Sequence, residues 1–215
     1  MIKKGHVSIN KINDIKKYYN NLQRDEYTNL KRFRALSRFC LKNNKITKLQ
    51  NVPLKQPHSS NALFGELPRQ FNDLNNNLIS SFSFKSIFWN MLTDFNLSNL
   101  NEYEFWVHQI RTKIENTDEN SLITPEGIHR DDAEKVGIIC VDRSNIEGAM
   151  NRFYKEKKKE TLFKEVYLKN SEYLIFDDNK IWHDVSQASA LNNNAYRDTL
   201  IFCGIKRSKA IQLIA

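Results

Sequence analysis

Two histidines and one carboxylate in this sequence have the residue types of a metal site. His129 and Asp131 are separated by one residue, in the stretch "TPEGIHRDD", and an apolar run follows at 136–141. On a strand, residues i and i+2 point to the same side, so we expect this imidazole and carboxylate to aim at one point. The pattern His-x-Asp is weak evidence alone, because a surface ion pair has the same spacing.

A second histidine strengthens this interpretation. His183 lies in "IFDDNKIWHDV", at the start of another predicted strand. Two imidazoles and one carboxylate on one face of a metal form the facial triad of non-haem Fe(II) oxygenases. Three coordination positions stay open, of which two suit a bidentate 2-oxo acid and one suits O2. Zinc is the main rival metal, although its catalytic sites more often use three histidines or two histidines with a glutamate.

A basic residue follows the distal histidine, in "AYRDTLIFCG". Arg197 shares a strand face with Thr199, and a guanidinium that points into a small barrel is costly unless it meets an anion. Its planar fork suits a carboxylate, to which Thr199 can add a hydroxyl group. We therefore predict a carboxylate site here, although an exposed edge-strand arginine paired with Asp198 would show the same pattern.

The first hundred residues show mainly helical periodicity. Apolar residues recur at helical spacing over 12–22, 30–40 and 71–95, and a short strand is predicted at 46–52. Prolines mark a loop between the second and third of these helices. Core candidates on the third helix are Leu74, Leu78, Phe82, Phe88, Leu92 and Phe95.

The second part of the chain changes to strand periodicity. In "YEFWVHQIRTKI", Gln109 and Arg111 share one face, whereas His108 falls on the other and is interpreted as a core or surface histidine. Further strands are predicted at 136–142, 162–168, 173–176, 182–185 and 196–204. Because no helical pattern lies between these strands, we expect an antiparallel sandwich or barrel with the N-terminal helices packed outside.

Composition sets the broad class of the protein. A chain of 215 residues is long enough for one domain with a real core. The sequence shows no signal peptide and no apolar stretch near the roughly 20 residues that span a bilayer. Three cysteines without a C-x-x-C pair indicate reduced thiols, so we expect a cytoplasmic protein without a membrane partner.

The net charge of +8 raises the alternative of a nucleic-acid-binding module. That class needs clustered lysine and arginine interleaved with exposed aromatic residues. The densest basic run, at 155–160, mixes both charges and is typical of a solvated loop. The sequence therefore gives little support to a nucleic-acid partner.

Several of these strings together resemble a known family. "VHQIRTKIENTDENSLITPEGIHRDD", "RSNIEG" and "YRDTLIFCG" resemble the bacterial 2-oxoglutarate/Fe(II) dioxygenases that include the free L-amino-acid hydroxylases of the L-isoleucine dioxygenase type. The resemblance covers about residues 102–204. It implies an α+β fold with a double-stranded β-helix (jelly roll) core and outer N-terminal helices, in one domain over 1–215. Residues 1–100 would be the mainly helical part, and residues 101–215 the β core with the metal site.

The resemblance also implies residue roles. His129, Asp131 and His183 would bind iron, and Arg197 with Thr199 would bind the distal carboxylate of 2-oxoglutarate. Candidate substrate-binding residues are Glu126, Gln109, Arg111, Arg143 and Asp132. Arg111 or Arg143 would bind a substrate carboxylate, and Glu126 would bind an ammonium group.

Two positions depart from the family pattern. Asp132 and Ala149 stand where these enzymes usually have glycine. Both lie near loops expected to contact substrate, so Asp132 could select a substrate with an extra polar group or could face solvent.

The sequence thus predicts an oxidoreductase that uses Fe(II), 2-oxoglutarate and O2 to hydroxylate a free amino acid or similar small molecule, releasing succinate and CO2. A cupin-like metalloenzyme that does not use 2-oxoglutarate is the second enzymatic hypothesis. The sequence does not determine the oligomeric state, and a homodimer is one alternative.

Overall fold

The computed structural model describes residues 2–114 and 120–215. The strands are β1 (Lys3–His6), β2 (Arg32–Lys42), β3 (Lys45–Lys48), β4 (Tyr103–Ile114), β5 (Asn120–Ser121), β6 (Lys135–Ser144), β7 (Ile146–Gly148), β8 (Asn151–Tyr154), β9 (Leu162–Val166), β10 (Glu172–Phe176), β11 (Trp182–Val185), β12 (Ala188–Ala190) and β13 (Ala195–Lys206). The helices are α1 (Ile9–Lys16), α2 (Asn76–Ser80), α3 (Phe82–Phe95) and α4 (Arg207–Ala210), with short 3-10 turns at Lys17–Tyr19, Leu100–Glu102, Lys159–Thr161 and Ile211–Leu213. Within the described ranges, no helix is long and apolar enough to cross a bilayer.

The architecture is mostly antiparallel sheet with few helices. Seven strands form one sheet in the order β1-β10-β6-β13-β4-β2-β3, and every neighbouring pair in it is antiparallel. Two three-stranded sheets have the orders β11-β8-β9 and β5-β12-β7. The predicted strands at 103–114, 136–142, 162–168, 173–176, 182–185 and 196–204 are confirmed with small shifts at their ends.

The large sheet has a core on each face. On one face, α1 contributes isoleucines and α3 contributes aromatic residues to the core, so that the Phe88 ring of α3 lies 5.4 Å from that of Phe39 and 5.5 Å from that of Phe202. On the other face, Trp106 and Ile138 share a second cluster with Phe153 of β8. Alternate residues of each central strand therefore face opposite cores, and the polar site described below lies on the face away from α1 and α3.

The predicted helix at 30–40 is wrong, because this segment is the eleven-residue strand β2. β2 pairs with β4 from Arg32 to Cys40, and it is buried on both faces. Leu36 belongs to one core, whereas Ala35 and Phe39 belong to the other. A strand covered on both sides does not show the alternation that marks a half-exposed strand, and the apolar residues fell by chance at helical spacing.

The predicted helix at 71–95 begins later, at Asn76, and is divided at Ser81. The Ser81 side chain accepts a hydrogen bond from the Phe84 amide at 3.1 Å and so caps the second helix. Phe82, expected in the core, lies beside this cap and is 80% exposed. The other five core candidates of this helix are buried as expected. The predicted strand at 46–52 is shorter, and ends at Lys48.

Candidate active site

His129, Asp131 and His183 converge on one point. One ligand atom from each lies within 4.8 Å of the others, and both histidines are buried. The His183 Nε2 atom is 3.5 Å from Asp131 Oδ2, and the His129 Nε2 atom is 3.9 Å from Asp131 Oδ1. The structure thus brings together all three residues that the sequence analysis selected, although they come from two separate segments.

The His129 ring is oriented by its own loop. Its Nδ1 atom lies 2.8 Å from the Gly127 carbonyl oxygen, which can only accept a hydrogen bond, so the proton is on Nδ1. The Nε2 lone pair then points toward Asp131 and is free for a metal.

Asp178 supports Asp131 and His183, and the sequence analysis did not select it. Its fully buried carboxylate accepts hydrogen bonds from the Asp131 amide at 3.0 and 3.1 Å and from the Ala133 amide at 3.1 Å. Its Oδ1 atom is 3.5 Å from His183 Nδ1. A carboxylate behind a ligating imidazole fixes the orientation of the ring. The sequence signal for Asp178 is weak. It belongs to an acidic pair shortly before His183, and such pairs are also common at turns.

The protonation states suit a divalent cation. Burial opposes ionisation of Asp131, but the hydrogen bond from His183 and the charges of both histidines hold its pKa well below the usual range. Burial, and then the neighbouring His129, lowers the pKa of His183. An ionised carboxylate beside two buried histidines is a donor set that fits Fe(II).

Arg197 lies in the same cavity and has no acidic partner among the residues that the structure describes. It is buried, its Nη2 atom donates to Asn151 Oδ1 at 3.3 Å, and its Nε atom makes no hydrogen bond. Thr199 and Thr112 line the cavity beside it. The alternative, a pairing of Arg197 with Asp198, does not occur, because that carboxylate is held by Arg111 on the opposite face. A buried guanidinium with one amide partner is suited to receive a carboxylate.

Glu126, a candidate for binding a substrate ammonium, lines the cavity beside His129. Its Oε1 atom is 3.9 Å from His129 Nε2, and its Oε2 atom is 3.5 Å from Arg32 Nη1 and accepts no hydrogen bond. Burial raises the pKa of a carboxyl group, but the charge of Arg32 and then that of His129 lower the pKa of Glu126 overall. This carboxylate is therefore charged, and its Oε2 atom forms an ion pair with Arg32 but accepts no hydrogen bond from the described residues.

The structure does not bring Gln109 and Arg111 to this cavity. Both project from β4 toward the helices, where Arg111 binds Asp198 through two hydrogen bonds of 2.7 and 2.6 Å. Gln109 lines a separate cavity beside Lys17 and Tyr18. The alternation of β4 was predicted correctly, but its other face is the one that lines the site.

Arg143 and Asp132 also lie outside the cavity. Arg143 donates hydrogen bonds to the carbonyl oxygens of Leu168, Ile146 and Gly148, and so holds a loop. The Asp132 carboxylate accepts from Ser60 Oγ at 2.7 Å and lies 3.4 Å from Lys209 Nζ. Neither side chain faces the metal residues.

The glycine positions of the resembled family have a backbone explanation. Asp132 has a φ of 61° and Ala149 a φ of 52°. This left-handed region favours glycine. The two departures from glycine therefore affect how readily the backbone adopts the left-handed conformation at these turns. Asp132 does not select a substrate from within the cavity.

Three basic residues that sequence reasoning missed also line the cavity. They are Arg32 and Arg34 on β2 and His108 on β4. Arg34 Nη2 donates to His108 Nδ1 at 2.6 Å. Burial, and then the charge of Arg34, holds the pKa of His108 well below its usual value, so the neutral ring accepts this bond. The two arginines were hidden by the helical interpretation of β2.

A family model described as 2OG-Fe dioxygenase matches residues 16–203 of this chain. The chain belongs to the 2OG-Fe dioxygenase family. It is therefore a 2-oxoglutarate-dependent non-haem iron dioxygenase, and the family uses Fe(II), 2-oxoglutarate and O2. The triad of His129, Asp131 and His183 fits the metal that the family requires.

Solved structures share this fold. A bsmA homologue from Methylobium petroleophilum PM1 is 20% identical with a TM-score of 0.76, and the match covers 93% of this chain and 82% of that one. IDO from Bacillus thuringiensis is 19% identical with a TM-score of 0.77, and the match covers 96% and 94% of the two chains. The Fe(II)/α-ketoglutarate-dependent dioxygenase TqaL is 16% identical with a TM-score of 0.67, and the match covers 94% and 76%. At these identities the likeness shows the fold alone. No curated protein matches the sequence.

Proposed function

We propose that this dioxygenase hydroxylates a free L-amino acid, or a similar small molecule, and releases succinate and CO2. His129, Asp131 and His183 would hold Fe(II), and Arg197 would bind the distal carboxylate of 2-oxoglutarate. Bound iron would supply the activation of O2 and the oxidative decarboxylation of the 2-oxo acid. The observation that carries the proposal is a buried arginine, without an acidic partner among the described residues, in the same cavity as the triad.

The residues around the triad position and shield the reactants. Arg197 offers a planar fork, with Thr199 and Thr112 beside it as further hydrogen-bonding groups. The apolar part of the cavity wall is formed by Ile110, Ile123, Ile138, Val185 and Ile201. A dry wall strengthens the charged contacts and keeps water from the reacting centre.

Glu126 supports the choice of a free amino acid. A substrate ammonium needs a charged acceptor in a dry cavity, because an unpaired buried charge is costly. The Oε2 atom of Glu126 is buried and accepts no hydrogen bond. The motif "TPEGIHRDD", which contains Glu126, also carries the resemblance to the free L-amino-acid hydroxylases.

The test is a screen for succinate release with Fe(II), ascorbate and 2-oxoglutarate across the free L-amino acids, with mass detection of one gained oxygen. We expect at least one amino acid to stimulate succinate release and to gain an oxygen atom. A protein that consumes 2-oxoglutarate but oxidises only peptides or nucleobases would contradict the free-amino-acid substrate and leave the iron and 2-oxoglutarate assignment standing.

We further infer that the facing sheets form a double-stranded β-helix within one domain over 1–215. The antiparallel order of the large sheet, and a triad cavity lined both by that sheet and by His183 and Val185 of β11, support this inference. A cytoplasmic location and a homodimer stay predictions from the sequence.

A further inference from the structure

Besides Arg197, three arginines are buried near the metal residues, and among the described residues only Arg32 of these three is paired with acids. Arg32 binds Asp25, with its Nε atom 2.8 Å from Oδ2, and its Nη1 atom is 3.5 Å from Glu126. Arg34 and Arg69 have only neutral partners. Arg34 donates to the His108 ring, and Arg69 Nη2 donates to Gln56 Oε1 at 2.6 Å. The Nε atoms of both are buried and make no hydrogen bond among the described residues.

Arg34 and Arg69 lie close together over one aromatic ring. Their Cζ atoms are 4.4 and 5.9 Å from the centre of the Phe71 ring. The Phe64 ring lies against Arg69 on another side, with a distance of 4.7 Å. Aromatic faces attract a guanidinium but do not replace an anion when the group is removed from water. The pair is therefore an aromatic-walled cationic cluster whose guanidinium groups form no direct ion pair among the described residues, while Glu126 and Asp131 line the same small cavity.

The electrostatics of the cluster show the same imbalance. Burial, and then the charges of Arg32 and Arg69, lower the pKa of Arg34 to about 9. Burial also lowers the pKa of Arg69. Both pKa shifts mean that the surroundings disfavour the charged form of the arginine. A bound anion would reverse this effect.

The cluster is placed beside the candidate active site. Arg34 lines the main cavity together with Glu126 and Asp131, and these three also line a smaller adjoining cavity with Arg69. Arg197 lines only the main cavity of these two. Arg34 and Arg197 thus both line the cavity that holds the triad, and Arg69 lies with Arg34 in the smaller cavity on the Glu126 and Asp131 side.

We propose that Arg34 and Arg69 form the binding site for the carboxylate of the substrate, an inference that rests on the proposed hydroxylation of a free amino acid. Two guanidinium groups can donate to both oxygens of one carboxylate. Glu126 would bind the ammonium group of the same molecule. This assignment replaces Arg111 and Arg143, which the structure places elsewhere.

The experiment compares each L-amino acid with its α-carboxamide, which keeps the ammonium and side chain but removes the carboxylate charge. Succinate release is measured with Fe(II), ascorbate and 2-oxoglutarate, and the ratio of stimulation by acid to stimulation by amide is recorded. For the wild type we expect at least one acid with a ratio above about 10, the effect of one charged hydrogen bond. Arg34→Gln and Arg69→Gln should each reduce that ratio at least about tenfold, and Arg34→Lys should retain part of it.

Arg24→Gln is the matched control, because Arg24 is an exposed arginine that donates only to the Asn29 carbonyl oxygen and lies outside both cavities. It should keep the parental ratio. The melting temperature of each variant separates misfolding from lost recognition, and Arg69→Gln and Arg34→Lys supply the ratio if Arg34→Gln does not fold.

Equal stimulation by acid and amide in the wild type would overturn the inference alone, and so would an unchanged ratio in both glutamine variants. Stimulation by no amino acid, with 2-oxoglutarate still consumed, would instead overturn the free-amino-acid substrate and this inference with it. The two failures are therefore distinguishable.

Discussion

His129 and His183 donate their backbone amides to each other's carbonyl oxygens, at 2.9 and 3.0 Å. This antiparallel bridge brings the two imidazole rings to 4.3 Å between centroids. Backbone hydrogen bonds, rather than side-chain contacts, therefore set the spacing of the two proposed nitrogen ligands. Such a pair is preorganised, so metal binding does not need to order two distant segments.

The first prediction concerns Asp178. Asp178→Asn should weaken Fe(II) binding by roughly 10- to 100-fold, the range typical for loss of a group that supports metal ligands. The physical reason is that, in either orientation of the new amide, its nitrogen would face the Asp131 amide, which now donates to both carboxylate oxygens. The measurement is a competition titration with a metal chelator. Asp177→Asn, a change at the neighbouring acid that pairs with Lys135, is the control, and equal effects in both variants would contradict the role of Asp178.

The second prediction concerns 2-oxoglutarate. Arg197→Lys keeps the charge but loses the planar fork, so the dissociation constant of 2-oxoglutarate should rise roughly 10- to 150-fold, corresponding to ~1.5–3 kcal/mol. Fe(II) affinity should change far less, because Arg197 is not in the triad. Calorimetric titration measures both constants. Arg143→Lys is the control, since Arg143 holds loop carbonyl oxygens outside the cavity, and an unchanged affinity in Arg197→Lys would count against the assignment.

The third prediction concerns coupling between substrate and 2-oxoglutarate. Glu126→Gln removes the charged oxygen that we assign to the ammonium, so the yield of hydroxylated product per succinate should fall at least about tenfold. Product and succinate are quantified in the same reaction by mass spectrometry. Glu147→Gln, at an exposed glutamate, should keep the parental yield. A parental yield in Glu126→Gln would show that the ammonium binds elsewhere.

The fourth prediction concerns the turn at Gly148 and Ala149. A Cβ atom on Gly148 would lie 2.4 Å from the Gln187 carbonyl oxygen at a φ of 77°, so Gly148→Ala should lower the free energy of unfolding by at least ~2 kcal/mol. Ala149→Gly should change the free energy of unfolding by less than ~1 kcal/mol, because the relief of backbone strain at a φ of 52° is offset by the loss of one buried methyl group. Urea denaturation measures both. A larger loss in Ala149→Gly than in Gly148→Ala would contradict this account.

The β core could be predicted from the sequence because its strands end at clear turn residues. The strand from Ala195 to Lys206 and the approach of His129, Asp131 and His183 follow from alternation and from residue chemistry. The local sequence pattern is sufficient to predict these features. The chemistry requires particular side chains, and a strand points each of them in a defined direction.

The other side of the site could not be predicted in the same way. β2 is buried on both faces, so its period gave no signal of a strand and Arg34 was not placed in the cavity. On β4 the strand periodicity was clear, but the alternation of side chains does not show which face of the strand lines the site. Gln109 was therefore chosen instead of His108. The order of strands in a sheet and the side covered by helices are tertiary properties. Asp178 was missed for a related reason, since its partners are backbone amides distant in sequence.

The central claim is that His129, Asp131 and His183 hold the iron that 2-oxoglutarate requires. The most direct measurement is an anaerobic calorimetric titration of the protein, first with Fe(II) and then with 2-oxoglutarate. We expect saturable Fe(II) binding in the wild type, with 2-oxoglutarate binding tightly only after the metal. His129→Ala, Asp131→Ala and His183→Ala should each weaken Fe(II) binding by more than about 100-fold, beyond the effect of losing a supporting group.

His6→Ala, at an exposed histidine far from the triad in the sequence, should bind Fe(II) as the wild type does. All four variants should retain the fold by circular dichroism. The account predicts loss of Fe(II) binding in the three triad variants alone, and wild-type Fe(II) affinity in any one of them would contradict it.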